Sequence, residues 1–362
     1  MKNIWIVPIE PIDQRYTAQW YINIPKIFKE RITELGLDSH NIRIVDGVQS
    51  QSGTTSGAFL DFAVTNVYKA SQAQRIAEAF AAGEVQAGDI FLITDAWNFV
   101  ITPIKYMSDL LKIPVEIHGI WHAGAYDPTD ILGYQMQKPW PWHVEQSWFH
   151  ACDYNYYATE FHRSMFMKNL NIDTDTYGHK AIRSGQPHDP LIAEISVNFD
   201  NTERNGAVMW PHRYNSDKQP DIAEDLAKQM PVTITQKMSL NKSQYYEAMS
   251  EHSVIFSCAL HENLGISVME AVLSGVIPVL PRRCSYAEMY LDEFLYPSKW
   301  TENWEQYQLH QTELVEFIND RIQNRDQYLP ALAKQKDILV EKYLTATTMF
   351  DNILKSNRVG SQ

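Results

Sequence analysis

Two glutamates eight positions apart, Glu262 and Glu270, have the residue types and spacing for nucleotide-sugar chemistry. Between them lies a predicted helix N-terminus, where unpaired backbone N–H groups and the helix dipole stabilise an anion. A carboxylate further along the same helix can accept hydrogen bonds from two ribose hydroxyls. The pattern therefore predicts a sugar contact at Glu262, a diphosphate cradle and a ribose clamp at Glu270. The cradle residues are Asn263, Leu264, Gly265 and Ile266.

The elements around these glutamates indicate a strand–turn–helix–strand unit. The apolar run from Ser253 to Cys258 is typical of a buried strand, and a helical apolar pattern follows it up to Gly275. A second apolar strand runs from Ile277 to Leu280. This order is that of a βαβ crossover in a parallel sheet. The alternative is an ordinary βαβ unit with two surface glutamates.

The E-x7-E spacing and the following S-G-V-I-P-V-L-P closely resemble the donor-binding motif of retaining GT-B glycosyltransferases, the glycogen-synthase-like group. The resemblance implies an α/β fold of GT-B type, with two Rossmann-like domains facing a deep interdomain cleft. It also implies a nucleotide-diphosphate sugar as donor, a UDP- or GDP-sugar, and no required metal. In this group an arginine and a lysine about five residues apart neutralise the donor diphosphate, a spacing that Arg213 and Lys218 have after the predicted strand from Gly206 to Trp210.

A histidine at the end of a strand of the first domain contacts the donor sugar in related glycosyltransferases. Here the strand from Val115 to Ile120 leads into H-G-I-W-H-A-G, in which His122 fits best and His118 is second. A hydrogen-bonded structural histidine is the alternative. The loop after the first strand often touches the acceptor in such proteins, which makes Arg15 and Tyr16 acceptor candidates. A plain solvated loop is the alternative.

Three segments more closely resemble tRNA-queuosine mannosyltransferases and phage nucleobase glycosyltransferases. They are H-A-C-D-Y-N-Y-Y-A-T-E-F-H-R-S-M-F, H-R-Y-N-S-D-K-Q-P and A-L-H-E-N-L-G-I-S-V-M-E-A-V, about a third of the chain. The chain departs from that group at Trp121-His122-Ala123-Gly124, where the group has phenylalanine, histidine, glutamate and asparagine. This resemblance implies a modified nucleobase of DNA or tRNA as acceptor, and the Arg282-Arg283 pair favours it through a local basic cleft.

Length and composition narrow the classes of protein to which the chain could belong. The 362 residues suffice for two domains, and no run approaches the length of a membrane span. Cys152, Cys258 and Cys284 are too few and too widely spaced for a disulfide framework or a zinc site. The N-terminal run has no signal-peptide pattern, so we expect a cytoplasmic protein. The net charge of −13 argues against a large nucleic-acid-binding surface.

We expect four segments along the chain. Residues 1–185 form an N-terminal Rossmann-like acceptor domain, 186–204 a linker, 205–335 the nucleotide-sugar domain, and 336–362 a C-terminal helix that crosses back. The Gly- and Ser-rich loop from Val48 to Ala58 is either a mobile cover or a flexible connection. Asp95 ends a strand at the edge where open α/β sheets bind ligands. The tryptophan-rich stretch from Lys138 to Phe149 is either a stacking platform or, as we favour, an irregular core segment.

The sequence therefore predicts a retaining glycosyltransferase that moves a sugar from a nucleotide-diphosphate sugar to a hydroxyl, on a modified nucleobase of hydroxymethylcytosine type in DNA or of tRNA. Transfer to a glycan, a lipid-linked molecule or a small molecule is the first alternative. An inactive sugar-nucleotide-binding protein is the second, and the presence of both glutamates, Arg213 and Lys218 argues against it.

Overall fold

The computed structural model describes residues 2–12, 15–37, 40–49, 61–199 and 203–355. The strands are β1 (Lys2–Val7), β2 (His40–Ile44), β3 (Ile90–Ile93), β4 (Glu116–Ile120), β5 (Tyr154–Tyr157), β6 (Ala181–Arg183), β7 (Val208–Trp210), β8 (Val232–Ile234), β9 (Val254–Phe256), β10 (Ile277–Pro281) and β11 (Leu295–Tyr296). They form two parallel sheets, which makes the chain an α/β protein.

The helices alternate with these strands. They are α1 (Tyr16–Glu34), α2 (Val64–Ala81), α3 (Ile101–Leu111), α4 (Ile131–Gln135), α5 (Pro139–Ala151), α6 (Glu160–Asn169), α7 (Thr174–Tyr177), α8 (Asp189–Asn198), α9 (Pro220–Leu226), α10 (Lys242–Glu251), α11 (Ile266–Leu273), α12 (Tyr286–Met289), α13 (Trp304–Gln323), α14 (Arg325–Leu339) and α15 (Thr347–Lys355), with a π-helical turn at Val340–Leu344. None of the described helices combines the length and apolarity needed to cross a bilayer.

The chain divides into two compact units. The first comprises the chain up to Ala158, His162–Pro187 and the stretch from Ala346 onward, and the second comprises Thr159–Phe161 and His188–Thr345. Residues 336–345, which the sequence grouped with the C-terminal helix, therefore belong to the second unit. Helix α8 occupies most of the segment 186–204 that the sequence assigned to a linker.

The sheet of the first unit has the strand order β2-β1-β3-β4-β5-β6. Its central strand β3 is buried along its whole length, as expected for a parallel strand covered on both faces. One face packs Phe91 and Ile93 against α2, α3 and α5, and the other packs Ile90 and Leu92 against α1 and α15. This frame fixes the carboxyl ends of β1, β3 and β4 at one edge.

The sheet of the second unit has the order β11-β10-β9-β7-β8. In β9 and β10 every residue is buried, and Val254 lies opposite Val208 of β7 on one side and Ile277 of β10 on the other. The predicted strand–turn–helix–strand unit is thus β9, α11 and β10.

Two predicted segments differ from the structure or lie outside it. The tryptophan-rich stretch forms the regular helix α5, not an irregular segment, because Pro139 and Pro141 occupy its first turn, where a missing N–H breaks no helical bond. Most of the predicted loop from Val48 to Ala58 lies outside the described residues.

Candidate functional site

The strand order of the second sheet reverses between β7 and β9. In open parallel sheets, ligands bind outside the carboxyl ends of the strands at such a reversal. The segment after β7 contains Arg213 and Lys218, and the segment after β9 contains Glu262. Two stretches that are separate in sequence therefore meet at one point of the sheet edge.

Lys218 and Glu262 form a buried ion pair at this point. The Lys218 Nζ lies 3.4 Å from Oε2 of Glu262 and 3.1 Å from Oδ2 of Asp217, and it also donates to the carbonyl oxygen of His261. Only 6% of Lys218 is exposed. Burial is the largest effect and acts to raise the pKa of Glu262, but the Lys218 ammonium together with the smaller effects of other neighbouring groups lowers this pKa to about 2. Glu262 is therefore ionised at neutral pH and can only accept hydrogen bonds.

The two carboxylates also keep the lysine charged. Burial acts to lower the pKa of Lys218, but Glu262 and then Asp217 raise it above its usual value. The exposed Arg213 lies close enough to oppose this rise. The segment after β7 thus brings Lys218 next to the carboxylate that follows β9, and Arg213 acts electrostatically on this lysine.

The turn between Glu262 and α11 requires glycine at position 265. Gly265 has φ of +77°, and a Cβ atom there would lie 2.9 Å from Cε1 of the buried Tyr286 ring. Its N–H donates to Oε1 of Glu262 at 3.0 Å, which fixes the carboxylate beside the helix start. No side chain caps α11, so the first-turn amides of Ile266 and Ser267 are placed to bind a ligand or water.

Glu270 lies further along α11 and is only partly buried. The Tyr246 hydroxyl donates to its Oε1 at 2.8 Å. Burial raises the pKa of Glu270 to about 7, against the lowering effects of Tyr246 and Lys242. The two glutamates of the motif therefore differ in charge state near neutral pH, because one has an ammonium partner and the other has a phenol.

A buried network that the sequence did not predict supports the turn. His212 Nε2 lies 2.8 Å from the Ser257 hydroxyl, which also accepts from the Tyr286 hydroxyl at 3.2 Å. Burial, reinforced by Lys218, lowers the pKa of His212 to about 3, so this imidazole is neutral. Tyr286 supports the turn through its contact with Gly265. Because these two residues lie far apart in the sequence, no local pattern indicated the contact.

Arg282 and Arg283, which the sequence suggested for a local basic cleft, both make contacts within the second unit. Arg283 donates to the carbonyl oxygens of Cys258, Ser298 and Thr301, so its guanidinium ties backbone segments together. Arg282 pairs with Asp292 at 2.6 Å on the surface. Both cations already have partners in the second unit.

His122 lies in the first unit, after β4. Its Nε2 is 2.7 Å from the Thr94 carbonyl oxygen, so Nε2 is the protonated nitrogen and Nδ1 is an acceptor. Nδ1 lies 3.2 Å from the Tyr16 hydroxyl and 3.3 Å from the Gln186 amide nitrogen. Burial lowers the pKa of His122 and favours this neutral form. The second candidate, His118, is buried in β4 between Glu116 and Tyr156.

Among the described residues, no three His, Cys, Asp or Glu side chains are grouped as a metal ion would require.

No protein-family model matches the chain. The fold of the chain resembles that of the lipopolysaccharide outer core galactosyltransferase WaaB in its apo form, with a TM-score of 0.58 and 9% identity over 98% of this chain and 99% of that one. It also resembles the catalytic domain of starch synthase IV from Arabidopsis thaliana bound to ADP and acarbose, with a TM-score of 0.59 and 9% identity over 98% of this chain and 99% of that one. The fold is that of GT-B glycosyltransferases.

One curated relative is similar to part of the chain in sequence. The tRNA-queuosine alpha-mannosyltransferase of Drosophila melanogaster is 26% identical over a match that covers 40% of this chain and 52% of the relative. The chain thus matches about half the length of this relative.

Proposed function

We propose that the chain is a retaining glycosyltransferase that uses a nucleotide-diphosphate sugar, a UDP- or GDP-sugar, and binds it in the second unit. The observation that carries the proposal is the ion pair of Lys218 and Glu262 beside the uncapped start of α11. An ionised acceptor, two cations and a helix N-terminus at the reversal of a parallel sheet suit a sugar joined to a diphosphate. The similarity to starch synthase IV bound to ADP supports the same class of ligand.

Each part of the donor has a proposed partner. Glu270 accepts hydrogen bonds from the ribose hydroxyls, and the backbone of 263–266 donates to phosphate oxygens. Arg213 and Lys218 neutralise the charge that develops on the leaving diphosphate, which is where fixed cations accelerate transfer. Glu262 accepts hydrogen bonds from sugar hydroxyls near C3 and C4.

The diphosphate explains why a lysine is kept beside two carboxylates. In the described structure the Lys218 ammonium faces Asp217 and Glu262, so the three side chains carry a net charge of about −1. The Arg213 guanidinium brings the local sum close to zero before the donor arrives. An entering diphosphate then becomes a further partner for the ammonium, while Glu262 turns to the sugar hydroxyls.

His122 is the proposed contact of the first unit with the donor sugar. Its neutral ring has one N–H and one acceptor nitrogen, and both already have hydrogen-bond partners. A sugar hydroxyl would therefore replace the Tyr16 hydroxyl or the Gln186 amide at Nδ1. Retention is ascribed to attack on the same face as the leaving phosphate, which needs no enzyme nucleophile.

For the acceptor we propose a hydroxyl on a modified nucleobase, with tRNA ahead of hydroxymethylated DNA. The similarity to a tRNA-queuosine mannosyltransferase favours this choice. A glycan, lipid-linked or small-molecule acceptor is the second candidate. The net charge of −13 and the pairing of Arg282 and Arg283 within the second unit favour that candidate, because tRNA binding needs free cations.

The test is transfer of radiolabelled sugar from UDP- and GDP-sugars to bulk tRNA, hydroxymethylcytosine DNA or neither. We expect one donor to label one nucleic acid, with an affinity that falls steeply as salt rises. Glu262→Gln should remove transfer and leave donor binding within about tenfold, and the exposed Glu247→Gln is its matched control. Donor hydrolysis that neither nucleic acid stimulates would refute the nucleobase acceptor. No response to any donor would refute the glycosyltransferase itself.

A further inference from the structure

Two loops lie side by side at the carboxyl edge of the first sheet. Residues 94–97, here called the β3 loop, follow β3, and residues 122–126, the β4 loop, follow β4. The hydrogen bond from His122 Nε2 to the Thr94 carbonyl oxygen, 2.7 Å long, joins the two loops. The orientation of the His122 imidazole therefore depends on how the loops are held against each other.

The carboxylate of Glu145, in α5, forms a second connection between the same two loops. Its Oε1 accepts from the indole Nε1 of Trp97 at 2.9 Å and from the N–H of Ala125 at 2.5 Å. Its Oε2 accepts from the N–H of Tyr126 at 2.9 Å. Glu145 is only 1% exposed, so these three bonds are shielded from water. One buried side chain thus holds the β3 loop and the β4 loop together.

The β4 loop leaves space for this carboxylate and for nothing else. A Cβ atom at Gly124 would lie 2.7 Å from Oε1 of Glu145 and 2.4 Å from the Tyr126 ring, so a side chain there would displace one of them. Trp142, three residues before Glu145 in α5, donates from Nε1 to the Ala125 carbonyl oxygen at 2.9 Å. Helix α5 therefore binds the β4 loop through both N–H and carbonyl groups.

The ionised form of Glu145 is the form that holds the loops. A carboxylate accepts from all three N–H groups, whereas a protonated carboxyl carries an O–H that would face one of them. Burial raises the pKa of Glu145 to about 7, against the lowering effects of the three N–H groups. Because the described part of the chain shows no ion pair with Glu145, these groups are its main compensation for burial. The connection should therefore weaken as the pH falls through about 7.

Other charged and titratable groups face this carboxyl or its partners from several elements. Asp130, which precedes α4, acts to raise its pKa. From α2, the Lys69 Nζ lies 5.0 Å from the centroid of the Trp97 ring. From α6, the His162 Nε2 lies 2.5 Å from the Tyr126 hydroxyl. Two further acids act on these partners, Asp95 and Asp127. Lys69 and His162 thus contact the partners of the carboxyl, and the three N–H groups contact the carboxyl itself.

We propose that Glu145 is a positioning residue for the histidine that contacts the donor sugar: it holds the β3 and β4 loops together and thereby fixes the orientation of His122. This inference rests on the proposed function, which assigns the sugar contact to His122. Because Glu145 is buried, it acts through the loops and not on the substrate. Its loss should slow the reaction of the sugar without weakening the binding of the nucleotide, whose proposed contacts lie in the second unit.

The first measurement follows the connection itself and needs no donor. The ¹H–¹⁵N NMR signals of the full chain are recorded from about pH 5.5 to 8.5. In the wild type, the Ala125 and Tyr126 amides and the Trp97 indole N–H should share one midpoint near pH 7, which should be absent in Glu145→Gln. Trp97→Phe removes one donor and keeps a ring, so the midpoint of the two amides should rise by about 0.5–1 pH unit. Glu84→Gln, exposed in the same unit, should leave it unchanged.

The second measurement is hydrolysis of the donor that the wild type turns over among UDP-glucose, UDP-mannose and the corresponding GDP-sugars, at saturating concentration. Glu145→Gln should lower kcat about 10- to 100-fold, the loss expected from a misplaced contact, while UDP and GDP bind within about twofold of the wild type. In Trp97→Phe the acid limb of kcat should shift upward with the amide midpoint. Glu270 titrates in the same range but lies in the second unit, so this shift reports on Glu145.

Several results would overturn the proposal. They are amide signals that do not titrate, a midpoint that Trp97→Phe leaves in place, or a wild-type kcat in Glu145→Gln. Equal losses of kcat and nucleotide binding would also overturn it, because they would indicate a general structural role. If Glu145→Gln does not fold, the two shifts in Trp97→Phe decide the matter. A wild type that hydrolyses no donor would refute the proposed function, whereas the NMR signals report on Glu145 without donor, so the two failures are distinguishable.

Discussion

Replacing Glu270 by glutamine should stabilise the ligand-free protein above neutral pH and weaken donor binding. Burial raises the pKa of Glu270 from 4.5 to about 7, so the folded state holds a proton that the unfolded state has lost between these values. Unfolding free energy therefore falls as pH rises through this window. At 1.36 kcal/mol per pKa unit, the difference amounts to about 3 kcal/mol.

Glutamine removes this penalty and can still accept the Tyr246 hydrogen bond. At pH 8, Glu270→Gln should therefore be more stable than the wild type by up to about 3 kcal/mol, a rise in Tm of roughly 6–12 °C for a unit of this size. At pH 4.5, where the wild-type carboxyl is protonated, the two proteins should have nearly the same Tm. The assay is thermal unfolding by circular dichroism at half-unit pH steps.

The control is Glu247→Gln, on the exposed face of α10, which should show no pH-dependent difference. The same Glu270→Gln variant should bind the donor about 10- to 100-fold more weakly, because a charged acceptor for the ribose hydroxyls becomes neutral. A Tm difference that stays constant from pH 4.5 to 8 would refute the view that burial of this carboxylate is costly.

Three further changes test the surroundings of the motif. Lys218→Met should raise the pKa of Glu262 from about 2 toward its ordinary value and reduce turnover about 100-fold. The measurement is the pH–rate profile, and an unchanged profile would contradict the pairing of Lys218 with Glu262. In urea unfolding, Gly265→Ala should lose more stability than Gly206→Ala. Both glycines have positive φ, but only at Gly265 would the new Cβ lie 2.9 Å from an atom of the Tyr286 ring. Equal losses of stability would contradict this prediction. The Tyr246 hydroxyl lowers the pKa of Glu270, so in Tyr246→Phe this carboxyl should ionise at a higher pH than in the wild type. The rise of donor affinity with pH should therefore shift to higher pH, and a shift to lower pH would contradict this prediction.

The strands and helices near the motif could be predicted because their signals are local. The buried strand β9, the glycine before α11 and the apolar strand β10 are each marked by a short run of residues, and the predicted elements lie within a few residues of those in the structure.

Elements with weak local signals were missed. Strand β6 has three residues and ends in an arginine, so it has no apolar run, and it exists because β5 offers a free edge. Helix α8 begins with Asp189-Pro190, which the sequence suggested was part of a linker, although proline at a first-turn position is compatible with a helix.

The candidate site was only partly accessible to sequence reasoning. The identities of Glu262, Glu270, Arg213 and Lys218 follow from spacing and resemblance, and their roles remain predictions. The pairing of Lys218 with Glu262 depends on the contact between β7 and β9, which spacing does not encode.

The most direct test of the account is a calorimetric titration of the wild-type protein with UDP-mannose, UDP-glucose and the corresponding GDP-sugars, repeated with Glu262→Gln and Gly265→Ala. We predict that one nucleotide family binds the wild type and that its affinity falls markedly in Gly265→Ala, because the turn that presents Glu262 and the first-turn amides is displaced. In Glu262→Gln the nucleoside diphosphate alone should bind almost as in the wild type, since its contacts are to the amides and cations. Binding of a nucleotide sugar with equal affinity to all three proteins would place the donor elsewhere and contradict the central claim.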